Sequence, residues 1–452
     1  MSLRNRISNS VGRVVVTLLF AAAVLGSQAA LAQLPNVQLP NVTLPNLPRV
    51  GLPTDVASTV AGATGLDART LEDLRRLRVR ELLRTNRAVL ERDPRGEPII
   101  RTELIAFSPS DEALTNAQAE GFEIRRRSEL DGLDETLIVL VAPRGMSTRR
   151  ALQRLRRLDP GGTYDFNHVY VESGEVTLSG AAVVPIAVAE ATSETSASRA
   201  RVGLIDGGVD MAHPVFGEVL VHQHGCASAP VPSAHGTAVA SLIAGRSGNF
   251  HGAAPAAELF SADVYCGIAT GGAVDTVAEA MAWMARERVP VVNVSLVGPE
   301  NVSLAGVVRV LIARGHVVVA AVGNDGPSAR PLYPASYPGV VGVTGVDARK
   351  KVLLEACRGP QVDFAAPGAD MAAAMSTETF ASVRGTSFAA PIVAGLLAAQ
   401  LREPDRAAAE RAIVQLTQQA VDLGSRGVDK VYGNGLVGDS LRIEPTLAKL
   451  GK

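Results

Sequence analysis

The stretch RGTSFAAPIVAG, residues 384–395, decides the fold class of this chain. A Gly-Thr-Ser triplet stands directly before small apolar residues that continue to Gln400, which predicts a helix buried on all sides. A serine at a helix start is usually an N-cap, and Pro391 fits the first turn, where backbone N–H groups have no helical partner. The same place is the positive end of the helix dipole, which favours developing negative charge. Ser387 is therefore a candidate nucleophile if the chain also supplies a base.

Strands and helices alternate in the sequence that leads to this helix. Short valine-rich runs predict strands at Val202–Ile205, Val291–Val294, Val317–Val322 and Val340–Val346, with helices at Gly236–Ala244, Ala273–Arg288 and Leu304–Ala313. Buried parallel strands with covering helices explain this alternation, so we predict a doubly wound, mostly parallel α/β sheet. Functional groups in such sheets gather beyond the carboxyl ends of the strands.

Four polar residues stand at the edges of these buried elements. Asp206 ends the strand RVGLID, His235 opens HGTAVASLIAG, Asn324 follows the apolar strand in VVVAAVGNDGP, and Ser387 begins the helix described above. Taken one at a time, these residues have simpler interpretations: a turn aspartate, a surface or capping histidine, a turn asparagine and a helix-capping serine. Together they are the groups that acyl transfer requires, because a serine hydroxyl needs a neighbouring histidine as its base and a carboxylate to orient that histidine.

Residues 201–437 resemble the subtilisin-like serine proteases, the subtilases. The resemblance rests on the order Asp, His, Ser and on eight segments: IDGGVDMAHPVF, HGTAVASLIAG, GAAPAAEL, VVNVSLVGP, VVVAAVGNDGP, VDFAAPG, GTSFAAPIVAG and YGNGLV. It implies that Asp206 orients the base, His235 is the general base and acid, and Ser387 is the nucleophile. It also implies that Asn324 and the Ser387 backbone N–H bind the oxyanion. The segments that resemble the substrate cleft contribute Ser295, Leu296, Val297, Ala320, Ala321 and Gly323.

Three departures from the family pattern lead to specific expectations about the site. Gly207 replaces the usual Ser or Thr, so backbone N–H groups are expected to orient Asp206. Val297 replaces a glycine at the cleft edge, which predicts a narrower subsite and a preference for smaller side chains nearby. The loop RSGNFHGAAP, residues 246–255, is shorter than the family's calcium-carrying loop. We therefore expect no cofactor, no metal and no calcium.

The three cysteines allow one disulfide and one remaining thiol. Cys226 and Cys266 are the more interesting pair because both lie among the motifs, although the sequence does not show that they meet. An alternative places His222, His224 and Cys226 of HQHGC on one strand face as metal ligands. A loop with two exposed histidines is the simpler interpretation.

The N-terminal half divides into five segments by composition. Residues 1–32 have the charged, apolar and small-residue parts of an export signal, residues 33–66 (with LPNVQLPNVTLPNLP) form a proline-rich linker, and residues 67–95 form an amphipathic helix. Residues 96–174 have the strand and helix order βαββαβ of a ferredoxin-like domain, and residues 175–200 form a connector to a catalytic domain at 201–442. Residues 96–174 resemble a subtilase pro-domain. The resemblance implies that HVYVES occupies the substrate subsites and that self-cleavage falls between Val171 and Ala200. The alternative is an accessory domain that stays attached.

Composition limits the partners of this 452-residue chain. Its net charge of -1 gives no reason to expect nucleic acid, and the arginines between Arg69 and Arg157 alternate with acids as on a solvated helix face. We expect a secreted or periplasmic monomer without a transmembrane anchor after signal removal, acting on polypeptides and made as a self-processing zymogen. Two rival functions are a catalytically silent scaffold of the cell envelope and an α/β-hydrolase esterase. The esterase requires a Gly-x-Ser-x-Gly elbow, which Ser387 lacks.

Overall fold

The structure, a computed structural model, describes residues 68–173, 175–177, 199–255, 257–375 and 379–448. The predicted export signal, the proline-rich linker and most of the predicted connector lie outside these residues. Within the described ranges, no helix has the length and apolar character needed to cross a membrane.

The first helix is shorter than the sequence pattern predicts. Helix α1 spans Ala68–Thr85 instead of continuing to residue 95, and Leu90–Arg92 forms strand β1. Asn86 ends the helix by donating its side-chain amide to the carbonyl of Leu82. Asp93 then accepts the backbone N–H groups of Arg95 and Glu97 in a turn that folds β1 onto the next strand.

A small α+β unit follows with the predicted order of elements. These elements are β2 (Pro98–Phe107), α2 (Asp111–Ala119), β3 (Glu123–Leu130), β4 (Glu135–Val141), α3 (Thr148–Leu158) and β5 (Thr163–His168). The antiparallel strands lie in the order β5, β2, β4, β3. Helices α2 and α3 bury one face of this sheet in a core that includes Leu104, Leu114 and Leu152.

The larger unit is built on seven parallel strands, as the alternation of strands and helices predicts. They are β8 (Arg201–Asp206), β9 (Val221–His224), β12 (Glu258–Asp263), β13 (Val291–Val294), β15 (Val317–Ala321), β16 (Val341–Val346) and β17 (Phe364–Pro367). Their spatial order is β17, β16, β15, β13, β8, β12, β9. The order in which successive strands are added to the sheet reverses beside β8. Such a reversal leaves a crevice at the carboxyl ends of the central strands.

Helices cover both faces of this sheet. Helices α4 (Ala234–Ala244), α7 (Thr386–Ala398) and α8 (Arg406–Gln419) share one apolar core, and α5 (Val274–Arg286) and α6 (Val302–Ala313) share the other. Short antiparallel elements complete the unit: β10 (Arg246–Ser247) with β11 (Phe250–His251), β14 (Leu296–Val297), and β18 (Ala369–Met375) with β19 (Thr379–Arg384).

The small unit is packed against helices α5 and α6. The second face of its sheet contributes Ile105, Phe107 and Val139 to the same apolar core as Trp283 and Leu304. The chain then leaves β5 as β6 (Val171–Glu172) and β7 (Glu175–Thr177), which pair with strands of the larger unit. This path brings the end of the small unit to the crevice.

Candidate active site

Asp206, His235 and Ser387 form one hydrogen-bonded row. The Nδ1 atom of His235 lies 2.9 Å from each carboxylate oxygen of Asp206, and its Nε2 atom lies 2.9 Å from the Oγ of Ser387. All three side chains are buried. Because a carboxylate only accepts hydrogen bonds, Nδ1 carries a proton, and once the ring is neutral Nε2 presents its lone pair to the serine hydroxyl. This is the arrangement that a general base for a serine nucleophile requires.

The positions of Asp206 and His235 follow from local structure. Asp206 ends the central strand β8, and His235 is the second residue of α4, whose N-cap Ser233 accepts the N–H of Gly236 at 2.8 Å. The N–H of Gly207 donates to Asp206 at 2.6 Å, so a backbone group orients this carboxylate, as expected. A Cβ atom at Gly207 would collide with the Oγ of Ser233. Ser233 thus fills the space that a larger residue at position 207 would need.

Ser387 is not the N-cap of its helix. That position belongs to Gly385 (φ 143°), and Pro391 is the sixth helical residue, beyond the first turn in which the sequence pattern places it. Because proline has no N–H, the Ser387 carbonyl lacks the donor that residue i+4 normally supplies. The Ser295 hydroxyl donates to it instead at 3.1 Å, and Asn293 donates to Ser295 at 2.8 Å. Pro391 therefore allows the carbonyl of the nucleophilic residue to accept a hydrogen bond from Ser295, next to the neighbouring strand.

Two donors meet on the backbone carbonyl of Ser173. The Asn324 side-chain amide donates to this oxygen at 2.7 Å, and the Ser387 N–H donates to it at 3.2 Å. The N–H of Thr386 donates to the Oδ1 of Asn324 at 3.1 Å, which turns the amide nitrogen toward Ser173. The carbonyl of Ser173 thus occupies the position between the two donors that the sequence assigns to an oxyanion.

The segment before Ser173 lies as a strand between two segments of the larger unit. On one side, β6 pairs with β14, so that Glu172 is opposite Leu296 and Val171 is opposite Val297, and the Ser173 N–H donates to Ser295. These are three of the residues predicted to line the cleft. On the other side, the backbone N–H of Tyr170 donates to Gly272 at 2.8 Å, and Val169 bridges to Ala273.

The remaining predicted cleft residues belong to β15 and to the turn that follows it. Ala320 and Ala321 are fully buried in β15. Gly323 has a φ of 100° and donates its N–H to the Thr386 hydroxyl at 3.2 Å. That hydroxyl oxygen lies 3.4 Å from the Oγ of Ser173, so Gly323 reaches the bound strand through Thr386.

The chain is also held after Ser173. Strand β7 pairs antiparallel with β19, which places Glu175 opposite Arg384 and Thr177 opposite Ser382. The backbone is therefore paired with the larger unit on both sides of the bond between Ser173 and Gly174.

Two carboxylates control the charge of His235. Burial alone would lower the pKa of the imidazole, but Asp206 and then Glu172 outweigh this effect and raise the pKa to about 9. The Glu172 side chain is exposed at the edge of the cleft, and its pKa is raised by partial loss of solvation, with His235 opposing and the neighbouring Asp206 and Asp263 adding to the rise. Both His235 nitrogens already have partners, so this donor set fits proton transfer better than metal binding.

The structure resolves the alternatives for the cysteines and histidines of residues 222–226. Cys226 is bonded to Cys266, and Cys357 is a buried free thiol. The Cys226 sulfur is therefore not available as a ligand, and the metal interpretation of HQHGC is wrong. His222 pairs with Glu258 at 2.8 Å, and His224 stacks on Trp283. The two histidines belong to strand β9 rather than to a loop.

The motif search gave no individual role to four residues around the site, although HVYVES, which includes Glu172, was expected to occupy the subsites. Gly272, Thr386, Ser233 and Glu172 act through backbone geometry or through contacts with residues far away in the sequence. The only sequence signal for Thr386 and Ser233 is their position within or beside the motifs quoted above. No sequence pattern marks the carbonyl of Gly272 or the approach of Glu172 to His235.

Comparisons of the sequence with known proteins point to one family. Residues 198–435, more than half of the chain, match the sequence model of the subtilase family. Subtilisin E of Bacillus subtilis is 29% identical over 290 residues, which cover 59% of this chain and 73% of that protein. A subtilisin of Bacillus pumilus is 30% identical over 256 residues, or 53% of this chain and 89% of that protein.

A solved structure shares the fold across most of the chain. The crystal structure of fervidolysin from Fervidobacterium pennivorans, a keratinolytic enzyme related to subtilisin, aligns with a TM-score of 0.62 at 20% identity. The alignment covers 78% of this chain and 62% of that chain. At this identity the likeness concerns the fold alone.

Proposed function

The chain belongs to the subtilase family of serine proteases, and we propose that it is an exported endopeptidase made as an inhibited, self-cleaving precursor. One observation carries the proposal. The Ser173 carbonyl oxygen accepts hydrogen bonds from both Asn324 and Ser387, while the chain before and after it pairs with the larger unit. This is the placement expected of a bound substrate whose scissile bond joins Ser173 to Gly174.

The buried row supplies every group for hydrolysis of that bond. His235 accepts the Ser387 hydroxyl proton as Oγ bonds to the Ser173 carbonyl carbon, and the oxygen gains negative charge between its two donors. Collapse of this intermediate breaks the bond to the Gly174 nitrogen, which receives the proton from His235. Water, deprotonated by His235, then hydrolyses the Ser173 ester and restores Ser387. Asp206 stabilises the imidazolium in both stages.

We assign residues 96–174 as a ferredoxin-like pro-domain. Its strand order supports this assignment, as do its contacts with the amino ends of two helices of the larger unit. Asp165 accepts the N–H of Val302 at 2.9 Å at the start of α6, and Asn167 accepts the N–H of Asp275 at 3.4 Å at the start of α5. The N–H groups of Val302 and Asp275 have no partner within their helices, and both lie at the positive end of a helix dipole. The contacts account for a domain that assists folding and remains bound over the cleft.

Helix α1 adds a contact to this inhibited arrangement. Arg75 pairs through two nitrogens with Glu97 at 3.0 and 2.7 Å and lies 3.2 Å from a carboxylate oxygen of Asp325, the residue after Asn324. Val79 shares a small apolar cluster with Val169, which begins the strand in the cleft. The helix therefore joins the pro-domain to the loop that carries the oxyanion donor.

Self-cleavage is tested by comparing the full chain with its Ser387→Ala variant by intact mass over time. The wild type should yield a fragment that ends at Ser173 and another that begins at Gly174, whereas the variant should stay whole. Circular dichroism of the variant checks that it is folded. Labelling of the wild type by a fluorophosphonate without cleavage would indicate an active enzyme with a permanent accessory domain. Neither labelling nor casein hydrolysis would instead favour a silent scaffold.

A further inference from the structure

A second carboxylate lies beside the Asp206–His235 pair. One ligand atom from each of Glu172, Asp206 and His235 lies within 4.8 Å of the other two. Pairing of β6 with β14 fixes Glu172 in this position, directly before the serine whose carbonyl meets the two donors. Glu172 belongs to the inhibitory strand, whereas Asp206 and His235 belong to the larger unit.

Among the described residues, the other titratable groups that act on Glu172 and its neighbours, Asp263 and Tyr265, add no positive charge. Asp263 at the end of β12 accepts the N–H groups of Val231, Tyr265 and Cys266 through its carboxylate. The Tyr265 hydroxyl is buried without a hydrogen-bond partner, and its pKa is raised by burial and then by Glu172, so the phenol stays neutral. On the opposite side, the described residues that contact His235 include Ser387 through its hydroxyl and, at 5.2 Å between ring centroids, Phe388.

This arrangement stabilises the charged form of His235 while the strand is in place. An imidazolium attracted by two carboxylates gives up its proton less readily than one that faces Asp206 alone. Yet the ring must be neutral to accept the Ser387 proton. With the His235 pKa raised to about 9, the neutral ring is the minor form at pH 7.

We propose that Glu172 is a positioning residue that acts through His235 and delays self-cleavage: its carboxylate keeps the imidazole protonated while the inhibitory strand occupies the cleft. The inference rests on the proposed cleavage between Ser173 and Gly174 and adds a regulatory role for the residue before it. Cleavage begins only after the imidazolium has released its proton to solvent, and alkaline pH promotes this release. Once the strand departs, Glu172 departs with it. The mature enzyme therefore works at lower pH on substrates with a neutral side chain in that position.

The first test follows self-cleavage of the full chain after refolding, between pH 5.5 and 10, by intact mass. We compare the wild type with Glu172→Gln, which keeps the shape and removes the charge, and with Glu172→Asp, which keeps the charge. Glu172→Gln should cleave about tenfold faster at pH 7 and shift the midpoint of the pH profile down by about one unit. Glu172→Asp should remain close to the wild type. Identical profiles for wild type and Glu172→Gln would overturn the proposal.

The second test uses the enzyme after cleavage and two peptides. One carries YVESGEVT, the sequence of residues 170–177, and the other carries YVQSGEVT. The kcat profile is measured because it reports ionisation within the complex, and it should lie at higher pH for the glutamate peptide. Hydrolysis of both peptides with one common profile refutes the role of Glu172 and leaves the protease assignment standing. Hydrolysis of neither, together with no self-cleavage, refutes both.

A third measurement separates charge from cleavage rate. In the Ser387→Ala background, the His235 ring is titrated by NMR with and without Glu172→Gln. The His235 titration should move to lower pH when the carboxylate is removed. An unchanged titration counts against the proposal whatever the rates show.

Discussion

The side-chain oxygen of Asn324 accepts the backbone N–H of Thr386 at 3.1 Å, one residue before the nucleophile. Because this bond occupies the oxygen end of the amide, the nitrogen end must point into the cleft, where it meets Ser173 at 2.7 Å. The helix that presents Ser387 therefore also orients the second oxyanion donor. Nucleophile and oxyanion donor are positioned by one element.

Replacing Asn324 with Ala should lower kcat and leave KM nearly unchanged, because this donor matters most when charge develops on the oxygen. The expected loss is about 10²–10³-fold, a magnitude taken from the equivalent amide of subtilisin. Steady-state kinetics on a peptide substrate measures it, with thermal unfolding as the control for folding. A loss below tenfold would mean that the Ser387 N–H suffices alone.

Replacing Val297 with Gly should widen the substrate preference of the cleft. Val297 is buried opposite Val171 in the β14–β6 pair, so its side chain limits the space beside the bound strand. A peptide library should show higher kcat/KM for larger side chains near the scissile bond. Val297→Ala is the matched control, because it keeps a Cβ atom and avoids the backbone freedom of glycine. An unchanged preference in Val297→Gly would refute this function of Val297.

Removing the Cys226–Cys266 disulfide should weaken both stability and substrate binding. The bond closes a loop across a sequence separation of 40, for which chain entropy predicts a loss of about 4 kcal/mol. Cys266 also begins the loop that leads to Gly272, whose carbonyl holds the inhibitory strand. The double Cys→Ala variant should unfold at lower denaturant concentration and show a raised KM for peptides that extend to the position of Tyr170. A change in stability with an unaltered KM would separate the loop from substrate binding.

His316 should make the protein sensitive to mild acid. Burial lowers the pKa of this histidine to about 4, and its Nδ1 lies 2.6 Å from the carbonyl oxygen of Val289. Since the unfolded chain binds the proton more readily, the free energy of unfolding falls as pH drops from about 6.5 to 4, by at most about 3 kcal/mol. Denaturant titrations of Ser387→Ala and Ser387→Ala/His316→Gln across this range avoid self-digestion. The difference between the two curves should flatten above pH 6.5; a constant difference at every pH would exclude His316 as the cause.

Much of the fold and the candidate site was predictable because local patterns carry it. The valine-rich runs predicted the parallel strands, since strands buried on both faces need apolar side chains at every position. Motif order predicted which polar residues follow those strands or begin the helices, and the fold then brings them to one edge of the sheet. Helix α1 was predicted too long, because apolar spacing continues through Val89 while the Asp93 turn folds the chain back.

The sequence by itself determined the element order and the polar residues at the strand ends, because periodicity, turn chemistry and motif spacing are local properties. Only the tertiary structure decided which carbonyl meets Asn324 and Ser387, which cysteines are bonded, and that Glu172 approaches His235. These contacts join residues tens to hundreds of positions apart, and those of Ser173 and Glu172 also depend on how the small unit packs against α5 and α6. A carbonyl oxygen is present at every residue, so packing alone could single out that of Ser173.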